Sequence, residues 1–437
     1  MALCLLFIPL VVNAERVRVR IFSNVTVERI NVSFDLGAYN LTADDAKVLE
    51  SELSGSVSVE LRRDGNRVHV AVDGYDYGSF AKVRLDAVDS ACILCLNPKG
   101  SKQRTYEGNL EVTPLKKSGL LVINDVDFET YIAGVVQSEI YGDKSDIFRI
   151  QAIISRTWAL RNINKHKADG YNFCDQVHCQ AYLNRCVRPD IMLGTIASAG
   201  ETIVDSSGSL IETPFHSNSG GQTANSEDVW RNRVPYLRSV QDTFSFRMRQ
   251  SDWTKVVAVD KWMNYFSKQH VDVANDSIRR ILLTFTQQQR CAKLLGVPLT
   301  RIRVDFQLKS TFFSVSFDST RNQVVLHGHG YGHGVGLSQE GTIRMVGLGF
   351  AYDSIICHYY HGAHIYRDPN VHRNYVQNYV NEIERIIIED QQNKSTKPKS
   401  KKDDWLGRLF RQRDRDDREE VYDANSQDLE QDFEYEW

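Results

Sequence analysis

The amino-acid sequence predicts an α+β fold, and three observations predict it. Short runs alternating apolar and polar residues fill residues 15–120, segments of helical period follow directly, and a polar, helix-like insert at 243–300 interrupts a later return to strand-like text. The chain has 437 residues, 42% of them hydrophobic and 25% charged, with a formal net charge of −3. That is the composition of a soluble globular protein with room for two or three structural units. With no excess of positive charge, binding of nucleic acid over the whole surface is not expected.

The elements follow in chain order. Ala2 to Val12 is almost unbroken apolar sequence, and Val12-Asn13-Ala14 resembles a small-residue cleavage site. Residues 1–14 therefore read as a signal peptide, and the protein as exported to the periplasm, the cell envelope or the medium. "MALC" carries no basic n-region, which leaves open a start further upstream or a buried first strand. The run is too short to cross a bilayer, which takes about 20 residues, so no transmembrane span is expected in the mature chain. The alternating runs "RVRVRIF", "VSVELRR", "RVHVAV" and "KVRLDAV", bounded by "DGN", "DGYDYG" and "PKGS", read as strands and hairpins.

The period then changes in "NDVDFETYIAGVVQSEIYG". Phe128, Ile132 and Val135 recur at helical spacing behind Asp127, a plausible N-cap. A second helix is expected in "DIFRIQAIISRTWALRNINKH", with Ile147, Ile150, Ile154 and Trp158 on one stripe and Arg156 facing away from it. "FFSVSFD" and "QVVLHG" read as strands. Residues 368–437 turn strongly charged and read as a solvated, disordered tail. There is no fixed-period repeat.

One helical step beyond Val135 lies Glu139, a carboxylate where the stripe expects an apolar side chain. Withdrawn from water, such a group has a raised pKa and can serve as a general acid. Equally, Glu139 can snorkel at the helix end or pair with Arg149 or Arg156, and Arg156 can orient Glu139 or a substrate carboxylate. In "CDQVHCQAYLNRC", the residues Cys174, His178, Cys179 and Cys186 offer sulfur and nitrogen ligands suited to structural zinc. A Cys174–Cys179 or Cys179–Cys186 disulfide is the competing reading in an exported protein. Eight cysteines, seven once Cys4 leaves with a signal peptide, cannot all pair within one chain. Cys92 and Cys95 form a lone C-x-x-C, read as a local disulfide or two buried thiols, and Cys357 reads as core.

Five segments together resemble the SpoIID/LytB family of bacterial cell-wall proteins: "VINDVDFETYIAGVVQSEI", "IQAIISRTWAL", "CDQVHCQAY", "HSNSGGQTANSEDVW" with "PYLRSVQD", and "HGHGYGHGVGLSQEGTIRMVGLGFAYDSIICHYYHGA". They cover most of residues 120 to 367 in the family's order. The resemblance implies a SpoIID-like mixed core over 121–367 behind the β-rich region. It further implies a lytic transglycosylase that cleaves peptidoglycan glycan strands to 1,6-anhydro products, with Glu139 as its single acid and base. A non-catalytic relative that binds glycan and stimulates a cell-wall amidase is the alternative. The resemblance also implies a zinc near the cysteine segment. The glycine-rich stretch reads as a glycan-binding wall with His329, His333, Ser338 and Gln339, of which His333, Ser338 and Gln339 match the family's motif, joined by the turn Ser219, Gly220 and Gly221, with Arg156 assisting. Ser338 is expected to cap the helix that follows it. Glu340 is a second, lower-ranked carboxylate.

Overall fold

The structure, a computed structural model, describes residues 16–371. The signal-peptide reading, and the tail reading beyond residue 371, fall outside the described residues. The fold is α+β, as the patterning predicts. The described chain forms two compact units, residues 16–202 with 367–371 and residues 203–366, so the division falls inside the segment read as one core. Among the described residues no helix is long and apolar enough to cross a membrane.

In the first unit the alternating runs form two largely antiparallel sheets. One runs, edge to edge, Phe173–Cys174, Arg16–Ile21, Leu120–Asp127, Asn109–Pro114, Val83–Ala87, Ala38–Ala43 and Ala46–Lys47, with Leu53–Ser54 also paired to Ala38–Ala43. The other runs Arg104–Glu107, Ile93–Pro98, Arg29–Leu36, Val59–Asp64, Arg67–Val72 and Tyr75–Phe80. The period of two explains the faces. In "RVRVRI", Val17, Val19 and Ile21 are buried, while Arg18 turns outward to Glu111 at 2.7 Å. Cys92 and Cys95 are buried free thiols.

Leu120–Asp127 leads directly into helix α1 (Phe128–Glu139), and Asp127 caps it as expected, its Oδ1 accepting from Thr130 N–H at 2.9 Å. Phe128, Ile132 and Val135 are buried, as their spacing predicts. Helix α2 (Ser145–Arg161) departs from its reading. It is covered on nearly every side, with Phe148, Ala152, Ile153 and Thr157 buried as well as Ile147, Ile150 and Ile154 of the expected stripe, whose Trp158 is half-buried. Arg156 therefore lies inside. Its guanidinium makes a two-pronged pair with Glu129 at 2.7 and 2.6 Å and donates to the carbonyls of Glu201 and Thr195 and to Ser198 Oγ. Thr195 belongs to helix α3 (Pro189–Ala197), so one side chain ties α1, α2 and α3 together.

The second unit contains the short helix α4 (Ser226–Val229) and a sheet in which Gln323–His329 lies between Asp252–Ala258 and Phe313–Asp318. Helices α5 (Val259–Lys268), α6 (Asp276–Thr284) and α7 (Leu299–Asp305) share a core with that sheet through Trp253, Trp262, Phe266, Leu282, Phe306 and Phe313. The insert is thus not wholly helical. Asp252–Ala258 is a strand because its backbone pairs along all of Gln323–His329, with Trp253 and Val257 buried. Helices α8 (Gln339–Gly347) and α9 (Tyr352–Tyr359) follow the glycine-rich stretch. Cys357, read as core, is exposed, because the apolar stripe of α9 runs through Ile355 and Ile356 instead.

Removing one partner of a buried pair leaves the other charge uncompensated, at a cost of about 3–5 kcal/mol. Arg156→Met is expected to lose stability on that scale in urea unfolding, and a change below about 1 kcal/mol would show that the pair does not hold the helices together.

Candidate functional site

The carboxyl end of α1 is fastened along the segment 181–188. Gln137 Oε1 accepts from Val187 N–H at 2.7 Å, Ser138 Oγ accepts from Leu183 N–H at 3.2 Å, and Glu139 Oε1 accepts from Ala181 N–H at 2.7 Å. Gly134 permits the approach, since a Cβ there would stand 2.5 Å from the Tyr182 ring and 2.9 Å from the Asn184 carbonyl. The helix stops at once, with Ile140 extended, so Glu139 occupies the last helical position.

Glu139 is half-buried. Burial pushes its pKa from 4.5 up to about 7, against the opposing pull of the Ala181 N–H. A group poised there is protonated in a large share of molecules near neutral pH and ionised in the rest, which suits one residue that must act first as acid and then as base. Of its two expected ionic partners, Arg156 is committed to Glu129, and Arg149 binds Glu201 at 2.9 Å.

The segment that supplies the Ala181 N–H begins with the cysteine motif. Asp175, fully buried, anchors it by accepting from Phe22 N–H at 2.8 Å and from Arg104 at 2.7 Å. Around it, the donor atoms of His166, Cys174, His178 and Cys179 all lie within 4.8 Å of one another. Cys179 Sγ is 3.5 Å from His166 Nε2, and both sulfurs are 3.7 Å from His178 Nδ1. Zinc–sulfur and zinc–nitrogen bonds of about 2.0–2.3 Å put tetrahedral ligands roughly 3.3–3.8 Å apart. The separations of 3.5 and 3.7 Å match that spacing, and two sulfurs with two imidazole nitrogens are a donor set suited to zinc. His166 Nδ1 faces Asp169 at 3.4 Å, which leaves Nε2 for the cluster. The hydrogen bond from Cys179 pulls the Cys174 thiol well below its ordinary range, toward the thiolate that binds metal.

This group differs by one member from the set read in the sequence. His166 joins it, while Cys186 is buried with its Sγ 3.5 Å from the Arg188 carbonyl. No motif marks His166, which lies eight residues before Cys174.

In the second unit, most of the residues read as glycan contacts are consumed by the fold. Ser219 is fully buried, its hydroxyl bound to Asp242 at 2.7 Å and to Ser245 at 2.9 Å. The N–H groups of Gly220 and Gly221 are held by Asn218 Oδ1 at 2.7 Å and Ser219 Oγ at 3.1 Å, so this turn offers no free amides. Ser338 caps α8 as expected, accepting from Gly341 N–H, and is itself fully buried. His333 donates from Nε2 to the Phe215 carbonyl at 2.8 Å and accepts at Nδ1 from Val335 N–H at 3.1 Å. Both ring nitrogens are thereby used, and burial pushes its pKa down to about 4, which keeps the ring neutral. Glu340 is buried against Asn218 Nδ2 at 2.7 Å and Gln250 N–H at 3.0 Å. Gln339 is half-buried. His329 alone of the two histidines read as contacts presents its ring to solvent, 46% exposed. Arg156, read as a substrate contact, is the buried strut already described.

Residues 116–203 match the family model described as Stage II sporulation protein. The chain is 26% identical over 285 residues to Stage II sporulation protein D of Bacillus amyloliquefaciens, covering 61% of this chain and 82% of the relative. It is 24% identical over 286 residues to the protein of the same name from Bacillus subtilis (strain 168), covering 61% of this chain and 82% of the relative. To the Amidase enhancer of Bacillus subtilis (strain 168) it is 24% identical over 211 residues, 36% of this chain and 30% of that one. The resemblance to the SpoIID/LytB family read from the motifs holds in these matches.

A carboxyl with a raised folded-state pKa favours the folded state at low pH and costs stability as pH climbs from about 4.3, its unfolded value, through about 7. Glu139→Gln, neutral throughout, is expected to melt above the wild type at about pH 8, with the gain shrinking toward about pH 5. Thermal scans at both pH values check this, and a pH-independent difference would contradict it.

Proposed function

We propose, from the SpoIID/LytB kinship and the carboxyl of Glu139, that this chain is a peptidoglycan lytic transglycosylase. The observation that carries the proposal is a half-buried carboxyl at the end of α1, with a pKa of about 7, oriented by the Ala181 N–H. Its protonated form donates to the glycosidic oxygen between muramyl and glucosaminyl sugars, and the C1–O bond breaks. The sugar's own C6 hydroxyl then bonds to C1, and its proton passes to the Glu139 carboxylate, regenerating the acid. No water is consumed, so no second carboxylate is required to activate one, unlike the paired carboxylates of most glycoside hydrolases.

Structural zinc suits the same reading. His166, Cys174, His178 and Cys179 would hold it as a closed four-ligand site that braces the loop, and the metal would supply no chemistry to the sugar. Ala181 lies two residues past Cys179, so bracing that loop fixes the donor to Glu139. The work proposed is cell-wall remodelling outside the membrane, on glycan strands as substrate. The similarity to a protein named Amidase enhancer favours a second reading, in which the chain binds glycan and stimulates an amidase without cleaving.

Incubation of peptide-stripped glycan strands with the wild type is expected to release 1,6-anhydromuramyl ends, detected by mass spectrometry. Glu139→Gln should lower that release at least about 100-fold, the scale of lost general acid catalysis. The wild-type rate should fall as pH rises through about 7, where the acid form is lost. Unchanged release by Glu139→Gln would remove the residue from the chemistry, and stimulation of an amidase without anhydro products would favour the second reading. Protein purified without chelator should carry about one zinc per chain; His166→Ala should lose it and Cys186→Ser retain it.

A further inference from the structure

Charge is divided unevenly along this chain. Residues 243–310 carry twelve Lys and Arg against five Asp and no Glu, while the whole chain has a net charge of −3. The stretch is a basic island in an otherwise acidic protein. Part of the excess is displayed on helices α5 and α7. On α5 the buried positions Val259, Trp262, Met263 and Phe266 form one stripe, and Lys261, Tyr265 and Lys268, at i, i+4 and i+7, form the opposite one. On α7 Leu299 and Ile302 are buried, and Arg301, Val304 and Asp305 lie on the other side of the helix, all exposed.

Direct contacts bring the two outward stripes side by side. Tyr265 OH donates to Asp305 Oδ2 at 2.7 Å, and Arg301 Nε stands 3.6 Å from the same oxygen. Lys261 Nζ and the Tyr265 ring both lie against the Phe306 ring, at 5.8 and 4.9 Å. Just past α7, Arg303 Nε donates to the Lys309 carbonyl at 3.4 Å, which carries the positive charge on to exposed Lys309. Lys261 and Lys268 are exposed as well, and Val304 is 65% exposed beside Arg301. Asp305, the carboxylate in these contacts, is shared by Tyr265 and Arg301. Exposed cations around a bare apolar side chain fit an anionic partner that also carries apolar groups.

The chain itself supplies such a partner. Residues 419–437, "EEVYDANSQDLEQDFEYEW", hold eight Asp and Glu, no Lys or Arg, and the four aromatic side chains Tyr422, Phe433, Tyr435 and Trp437. They lie outside the described residues. Between Val371 and Glu419 stand 47 residues, whose contour exceeds about 150 Å, so reach sets no limit on a contact within one chain.

We propose that residues 419–437 dock on the basic face formed by α5 and α7 of the same chain. Their carboxylates meet Lys261, Lys268, Arg301 and Lys309, and their aromatic rings cover Val304. A single exposed ion pair contributes little, but several act together here, and the tether holds the segment near its face at an effective concentration on the order of millimolar. The attraction is screened by salt. Docked, the segment withholds the face from other polyanions. Nothing in the contact depends on cleavage by Glu139.

Amine acetylation of the full chain, read residue by residue in mass spectrometry, tests the contact. The comparison is a full-length variant with Glu→Gln and Asp→Asn at all eight acids of 419–437. At about 50 mM salt Lys261 and Lys268 should react at least about threefold faster in the amide variant than in wild type, and at about 0.5 M salt the difference should vanish. The exposed Lys116 and Lys117 of the first unit should react alike in both proteins. Carbodiimide coupling of wild type should join carboxyls of 419–437 to Lys261, Lys268 or Lys309 within single chains. Equal reactivity of Lys261 and Lys268 in the two proteins at low salt overturns the contact, as do couplings confined to other lysines or to pairs of chains. Inorganic polyphosphate distinguishes a face reserved for an outside polyanion. It should bind the amide variant at least about tenfold more tightly than wild type, whose face is occupied, and equal binding to both overturns the proposal.

Discussion

The chemistry available to the first unit depends on one hydrogen bond, from Ala181 N–H to Oε1 of Glu139. Two opposed effects meet in that carboxyl. Burial raises its pKa and the amide lowers it, and the balance falls at about 7. A carboxylate collecting several backbone donors is driven well below the ordinary range and retains no proton to give. Here burial outweighs the pull of the Ala181 amide and leaves the group an acid. The rest of the segment works to hold that donor in place: Gln137 and Ser138 bind the chain further along, Gly134 lets Tyr182 close in, and buried Asp175 anchors the loop to Phe22 and Arg104.

The second unit handles its polar side chains differently. Ser219, Ser245, Ser338 and one oxygen of Asp242 are hydrogen-bonded to one another inside the fold, and Glu340 is held by Asn218 and Gln250. His333 spends both nitrogens on backbone. The histidine-rich, glycine-rich stretch is therefore mostly a device for bringing chains into close approach. Gly330 shows the need, since a Cβ there would lie 2.5 Å from the Asn218 carbonyl and 2.7 Å from Gly220 N. His327 is exposed in it, and His329 reaches solvent oriented by Asp252.

Periodicity made much of this visible. The stripe Phe128, Ile132, Val135 located α1, its cap and the carboxylate at 139, although the helix is covered well beyond that stripe, with Glu129, Tyr131, Ala133 and Val136 buried too. The alternating runs located strands by their period of two. Periodicity does not show which charged residues are buried. Helix α2 is surrounded, so Arg156, read as facing away from the core, is a strut whose partner Glu129 lies 27 residues earlier. Nor does it show contacts that are remote in sequence. His166 reaches Cys179 across 13 residues and Asp252 reaches His329 across 77, distances that only the folded chain closes. Cys186 entered the expected ligand set by proximity in sequence and is turned instead to Arg188. The strand Asp252–Ala258 was hidden in a polar insert because only Trp253 and Val257 of its seven residues are buried.

The central claim is that the Glu139 carboxyl holds its proton to near neutrality. Carbon-13 NMR of the chain labelled at glutamate side-chain carboxyls, with Glu139→Gln to assign the resonance, measures that directly. A titration midpoint near 7 agrees with the account. A midpoint near the ordinary glutamate value of about 4.3 would contradict it, leaving an ionised group with no proton to deliver at neutral pH.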